Sequence, residues 1–234
     1  MKKILITGGS GFIGTNFINY ISKKKYKILN IDKISNISTP EKFKKIYDIK
    51  RYKLLKYDLN NSNKIFNIIN KFKPNYIINF AAESHVDRSI NDPIYFIKNN
   101  INSATNLFYA YLKYFKKKKI KLFHISTDEV YGSILKGEFK ENDPYDPSSP
   151  YSASKGSADL IATSFNKTYG TKIKILNLTN NYGPYQFPEK FIPTLISYFL
   201  KNKKAPIYGK GTNVREWMYV DDSCNAILKS VVSK

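Results

Sequence analysis

Short apolar runs alternate with stretches of helical period almost from one end of the chain to the other. The apolar runs predict strands over residues 3–7, 27–32, 52–57, 75–80, 121–126 and 172–178. Between them, apolar positions recurring every three or four residues predict helices over 12–23, 62–72, 94–115 and 152–169. Continuously apolar strands alternating with helices imply a parallel sheet buried on both faces. Right-handed crossovers then give a doubly wound, Rossmann-type α/β fold. The pattern changes after Leu178. Residues 182–213 are rich in Pro, Gly and aromatic residues around one helical piece, 191–201. Residues 217–220 followed by 221–232 then look like a return to the sheet. The expected division is a doubly wound domain over 1–181, part of a second lobe over 182–213 and a return to the first domain over 214–234. The chain is expected to stop with that lobe incomplete.

Composition narrows the class. Hydrophobic residues make up 42% of the 234 positions, which fits neither disorder nor a membrane-spanning chain. No apolar run approaches the roughly 20 residues that a membrane helix needs. The first residues enter a strand and a glycine turn directly, without the longer apolar segment of a signal peptide. The single cysteine, Cys224, excludes an internal disulfide, and no Cys/His spacing suggests a metal. The expected location is the reducing cytoplasm. Lys plus Arg number 39 against 18 acidic residues, a net charge of +21. That balance raises a nucleic-acid partner. The lysines are scattered, however, and no nucleic-acid fold signature accompanies them, so they read as exposed positions filled by a biased residue usage. A positive field could still attract a nucleotide diphosphate.

The candidate chemistry begins at the first strand. Gly8, Gly9, Gly11 and Gly14 fit both G-x-x-G-x-x-G and G-x-G-x-x-G, directly after a strand and before a helix. Glycines there let the backbone turn tightly and approach a pyrophosphate, and the helix N-terminus offers free N–H groups. Asp32 closes the second strand, where a carboxylate can accept from the adenosine ribose hydroxyls. An Asp there favours NAD over NADP; Lys33 beside it complicates the choice. Asp58 could meet the adenine edge or could simply form a turn. Phe80, Ala81 and Ala82 end the fourth strand with residues that either pass the cofactor over the sheet edge or pack.

Tyr151 and Lys155 form Y-x-x-x-K, which puts both side chains on one helix face. An ammonium beside a phenol favours tyrosinate, lowers the tyrosine pKa and makes it a base for an alcohol. Thr127, Asp128 and Glu129 follow the fifth strand at its carboxyl end, where open α/β sheets bind ligands. An acid and a base side by side suit loss of water from a sugar, though a solvated turn also carries such pairs. His124 reads as a packed strand histidine, and His85 has no assigned role.

These residues carry a resemblance. Thr7–Gly14 with Tyr151 and Lys155 resembles the extended short-chain dehydrogenase/reductase superfamily. Ala81-Ala82-Glu83-Ser84-His85-Val86-Asp87-Arg88-Ser89, Ser126-Thr127-Asp128-Glu129-Val130-Tyr131-Gly132 and Asn180-Asn181-Tyr182-Gly183-Pro184-Tyr185-Gln186-Phe187-Pro188-Glu189-Lys190 are similar to the dTDP-glucose 4,6-dehydratase family. The resemblance implies three stages. Tyr151, with Lys155 and Thr127, deprotonates the sugar 4-hydroxyl as hydride passes from C4 to NAD. Glu129 removes the acidified C5 proton while Asp128 helps the 6-hydroxyl leave as water. Hydride then returns to C6. It further implies NAD contacts at Gly8, Gly11, Phe12, Ile13, Gly14, Asp32, Lys33, Asp58, Leu59, Phe80, Ala81, Ala82, Ser84, Asn99, Tyr151, Lys155 and Asn181. Substrate contacts implied are Ser84, Thr127, Asp128, Glu129, Asn180, Lys190, Phe191, Pro206, Tyr208 and Arg215. Lys190 and Arg215 suit a diphosphate as a point charge and a planar fork. Asn177 stands where relatives usually carry Arg, and Asn99 where Thr is usual.

Three other readings stand beside this one. Another NAD-dependent nucleotide-sugar epimerase, decarboxylase or dehydratase would share the glycine turn, Tyr151 and Lys155, but is not expected to carry Asp128 and Glu129 in this motif. An inactive NAD-binding remnant is the second, and nucleic-acid binding by the basic surface the third. The resemblance also implies a homodimer, for which the aromatic helix over 94–115 would serve, although aromatics at helical spacing more often form core.

Overall fold

The computed structural model describes residues 1–35, 38, 51–207 and 211–233. Among them, six strands form one parallel sheet: β1 (Lys2–Thr7), β2 (Tyr26–Asp32), β3 (Tyr52–Lys56), β4 (Tyr76–Asn79), β5 (Lys121–Thr127) and β6 (Ile173–Leu178). Their order is β3-β2-β1-β4-β5-β6, so the winding reverses between β1 and β4. Ligands of open α/β sheets bind outside the strand ends at such a reversal. A second, two-stranded parallel sheet pairs β7 (Asn180–Tyr182) with β8 (Trp217–Tyr219).

Strand alternation sends successive side chains to opposite faces of the main sheet. Leu5, Ile77 and Leu122 enter one core with α2 (Ser62–Phe72), α4 (Pro93–Phe115) and α5 (Pro150–Tyr169). Ile4, Ile6, Ile78 and Phe123 enter the other with α1 (Phe12–Ser22) and α7 (Val220–Val232). The apolar stripe Val220, Cys224, Ile227, Leu228 and Val231 brings α7 back against Phe17, Ile18 and Ile21 of α1. The starts of α2, α4 and α5 are capped by short polar side chains that take up otherwise free N–H groups. Asn61 caps α2, Asp92 caps α4 ahead of Pro93, and Ser149 forms a capping box with Ser152 at α5. No described helix is long and apolar enough to cross a membrane.

Two short elements lie outside the periodic reading: α3 (Val86–Asn91) and β7. The helix over residues 191–201 appears as α6 (Phe191–Leu200), which has no buried residue. Phe199 and Leu200 on it are 66% and 82% exposed, so its apolar composition does not reflect a core position in this chain.

Candidate active site

The glycine turn links β1 to α1, and its glycines are required for different reasons. Gly8 has a positive φ of 69°, and a Cβ there would lie 2.4 Å from the Ala81 nitrogen, at the point where β1 and β4 part. A Cβ on Gly14 would lie 2.5 Å from the Gly8 carbonyl oxygen. Gly11 differs: its Cβ would meet only that same oxygen, at an ordinary 3.5 Å. The protein itself therefore does not demand glycine at 11, whereas a diphosphate approaching the backbone would. Gly11 is also the N-cap of α1 and has no side-chain cap, which leaves the first N–H groups of an eleven-residue helix free for an anion. Asn30 supports the turn from β2 by accepting from the Gly9 N–H at 3.0 Å.

Asp32 fixes the adjoining chain, accepting from Ser10 N–H at 2.9 Å and from Ile34 N–H at 2.8 Å. A carboxylate has acceptor capacity beyond two bonds, so it can also take ribose hydroxyls. Lys33 turns away to Glu83 at 2.6 Å, and also reaches the Tyr95 hydroxyl at 3.0 Å and Asn99 Oδ1 at 3.3 Å. Its charge is thereby committed to Glu83.

One cavity runs along the strand ends. Asp32, Lys33, Asp58 and Leu59 line one end; Gly8, Gly11, Phe12, Ile13 and Gly14 line the middle with Phe80, Ala81 and Ala82. Ser84, Asn99, Tyr151, Lys155 and Lys190 line it further along. An extended groove with an acid at one end, a side-chain-free anion cradle and a Tyr–Lys pair fits a dinucleotide such as NAD.

The reacting groups gather where β5 meets α5. Tyr151 is buried and shares a hydrogen bond with Thr127. Thr127 also caps the short 3-10 turn Asp128–Tyr131, accepting from the Glu129 N–H at 3.3 Å. Lys155 is buried, and its Nζ donates to the Ile125 carbonyl at 2.7 Å. Burial brings Lys155 down to about 8, against the opposing pull of Asp159. Tyr151 departs from the sequence expectation. Burial first, then the Glu129 carboxylate, raise its pKa, and the Thr127 hydrogen bond only partly offsets them. The lowering expected from Lys155 is not found: its ammonium is turned to the Ile125 carbonyl, and the phenol sits in a dry pocket beside a carboxylate. Glu129 is raised by burial and by Asp128, while Lys190 and Arg215 pull it down. That pushes it toward the range useful to a base near neutral pH.

The remaining predicted residues divide. Lys190, lowered by burial, donates to the Ser84 carbonyl at 3.1 Å. Arg215 is exposed and feels Glu129 only through its charge. Phe191 stacks on Trp217 with centroids 6.0 Å apart, and Pro206 is exposed. Asn181 is buried with an unpartnered Oδ1, while Asn180 pairs with Trp217 across the small sheet. Thr127, Asp128, Glu129, Asn180, Asn181, Phe191, Pro206 and Arg215 do not line the cavity itself. Tyr208 lies outside the described residues. Asn177, in place of an expected Arg, donates to the Thr127 carbonyl at 3.1 Å and so braces the end of β5. Several contributors went unnoticed in the sequence. Asn100 ties Glu83 to Ser154 through three hydrogen bonds, and Glu189 gathers His85 and Arg88. Glu83, His85, Arg88 and Glu189 lie in the matching motifs, whereas Asn100 carries no such sequence signal.

Comparison with known proteins agrees with this geometry. Residues 5–234 match the family model described as GDP-mannose 4,6 dehydratase. A dTDP-glucose 4,6-dehydratase of Salmonella typhimurium is 42% identical over 96% of this chain and 67% of its own length. One from Haemophilus influenzae is 41% identical over 97% of this chain and 70% of its own. This chain thus spans about two thirds of the length of such relatives. The crystal structure of dTDP-glucose 4,6-dehydratase from Bacillus anthracis in complex with NAD superposes with a TM-score of 0.88. It is 41% identical, over 100% of this chain and 72% of that one. UDP-glucuronic acid 4-epimerase from Bacillus cereus gives a TM-score of 0.89 at 28% identity, over 99% and 74%. Fold is thus shared across the wider group, while identity favours the dehydratases: this chain belongs to the dTDP-glucose 4,6-dehydratase family.

Proposed function

We propose that this chain carries out the NAD-dependent conversion of dTDP-glucose to dTDP-4-dehydro-6-deoxyglucose. The observation that carries the reading is the meeting of Tyr151 with Thr127, Asp128 and Glu129 at the end of β5. Epimerisation needs a group that takes and returns a hydroxyl proton; loss of water needs an acid and a carbon base besides. Asp128 and Glu129 supply that second pair.

NAD held in this groove would supply the acceptor for the C4 hydride and its donor to C6. The residues do the rest. Tyr151, held by Thr127, accepts the 4-hydroxyl proton in its tyrosinate form, which burial disfavours and which the Lys155 positive charge on the same helix face would favour. Glu129 removes the C5 proton once C4 is a ketone. Asp128, in its protonated form, protonates the departing 6-hydroxyl and then regains the proton that Tyr151 took, and Glu129 gives its proton back to C5. Gly11 and the α1 N-terminus would hold the cofactor diphosphate, Asp32 the adenosine ribose, and Lys155 the ribose beside the reacting ring. Lys190 and Arg215 answer the charge of the nucleotide diphosphate, with Ser84, Asn180 and Phe191 nearby in sequence motif or fold.

We assign residues 1–181 and 214–234 to the dinucleotide-binding domain and 182–213 to part of a substrate lobe. A homodimer is proposed through α4 and α5, where Ile94, Ile97, Tyr109 and Leu160 are exposed. A buried free thiol at Cys224 suits a reducing, cytoplasmic setting. Mass spectrometry of dTDP-glucose incubated with the chain and NAD tests the reading. Loss of one water with no net reduction of NAD is expected. Inversion of a hydroxyl at constant mass would point to an epimerase instead.

A further inference from the structure

Asp159 stands one helical turn beyond Lys155 and two beyond Tyr151, so all three lie along one face of α5. Its side chain is 0% exposed. Ser126 donates to its Oδ2 at 2.5 Å, and the Tyr145 hydroxyl reaches the same oxygen at 3.4 Å. The other oxygen, Oδ1, faces His124 Nε2 at 3.5 Å, and neither atom has a hydrogen-bond partner. The His124 tautomer follows from its other side. Asn79 Oδ1 accepts from Thr7 at 2.6 Å and from the Ala81 N–H at 3.1 Å, so its Nδ2 donates to His124 Nδ1 at 2.8 Å. The ring proton then lies on Nε2, toward Asp159.

α5 therefore grips β5 at two consecutive residues. Lys155 holds the Ile125 carbonyl and Asp159 holds the Ser126 hydroxyl. The next three residues of the chain are Thr127, Asp128 and Glu129. We propose that Asp159 is a positioning residue of this site, fixing the register of α5 on β5 and supplying the buried counter-charge for Lys155. The inference rests on the proposed roles of Tyr151 and Lys155.

Charge agrees with the geometry. The titratable groups facing Asp159 are His124 from β5, Tyr131 and Tyr145 from the segment between β5 and α5, and Tyr151 and Lys155 from its own helix. Burial raises Asp159 to about 6, with Lys155, Ser126 and Tyr145 opposing, so it is ionised at neutral pH. Its charge is the one that holds Lys155 up against burial. His124 is neutral, lowered well below its usual value by burial and then by Lys155. It cannot replace that counter-charge.

The test is NAD affinity of the full chain as a function of pH, measured by calorimetry for the parent, Asp159→Asn, Asp159→Glu and Ser126→Ala. In the parent, affinity declines on the alkaline side as Lys155 loses its proton, near about 8. Asp159→Asn moves that decline to lower pH by about one pH unit or more, because it deletes the opposite charge that holds Lys155 up against burial. Asp159→Glu restores most of it. Ser126→Ala keeps the carboxylate but removes its hydrogen bond, and shifts the decline the same way by less. Coincident profiles for parent and Asp159→Asn overturn the proposal. Dehydration assayed in parallel separates the two readings. A shifted binding profile without turnover supports Asp159 and counts against the dehydratase; turnover with unshifted profiles does the reverse.

Discussion

The Thr127 hydroxyl donates a 3.1 Å hydrogen bond to Asp128 Oδ1, while its oxygen accepts from the Glu129 N–H. One strand-end side chain thus orients both carboxylates, and they are not equivalent. Glu129 is pushed up by burial and by the neighbouring Asp128 charge, which suits a base that must hold a proton briefly and return it.

Glu129→Gln therefore separates oxidation from loss of water. The variant should reduce bound NAD with dTDP-glucose but dehydrate the sugar more slowly by roughly 100- to 10,000-fold. Nicotinamide absorbance and product mass together read the two steps. Dehydration at the parent rate would remove Glu129 as the base.

Tyr151→Phe acts earlier. Removing the phenolic oxygen deletes the group that accepts the 4-hydroxyl proton, so reduction of NAD itself should slow by a comparable factor of roughly 100 to 10,000. NAD affinity should change far less, because Gly11, Asp32 and Lys155 remain. Single-turnover absorbance with parallel binding measurements checks this; a defect confined to binding would argue against a base.

The α/β alternation was legible because fully buried parallel strands are continuously apolar, and expected boundaries such as 62–72 and 12–23 fall within a residue or so of α2 and α1. α3 and β7 were not, since elements of six and three residues carry too little periodicity. The glycine turn, Asp32, Tyr151 and Lys155 could be placed because each sits at a defined end of a strand or helix. Asp159 escaped notice because a lone acid in a helix normally reads as solvent-facing; only the fold puts it against Ser126 and His124. The direction of the Tyr151 shift also depends on tertiary burial, which spacing along one helix does not reveal.

The glycines should fail in different ways. Gly8→Ala places a Cβ against the Ala81 backbone at a positive φ, and should lower stability by about 1–3 kcal/mol. Gly11→Ala meets nothing closer than 3.5 Å and should leave thermal unfolding near the parent while weakening NAD binding. Thermal melts with and without NAD distinguish them, since a ligand that binds the folded chain raises its melting temperature. Equal loss of stability in both variants would contradict the separate roles.

Stability against pH should carry the imprint of His124 and Asp159. His124 is lowered well below 6.5 by burial, so below that pH the unfolded chain binds the extra proton and folding weakens as pH falls. Asp159 has the opposite sign. It is raised from 3.8 to about 6, so between those values the folded chain binds the extra proton and folding strengthens as pH falls. Each fully shifted group contributes a slope of up to about 1.4 kcal/mol per pH unit, and below pH about 6 the two act in opposite directions. Asp159→Asn removes one side of that balance, and its stability should fall more steeply than the parent's across this window. His124→Asn removes the other and should fall less steeply. Urea denaturation at several pH values reads the difference, and since exposed carboxylates are common to all three chains they drop out of the comparison. Parallel curves for parent and Asp159→Asn would mean that Asp159 is not buried with a raised pKa.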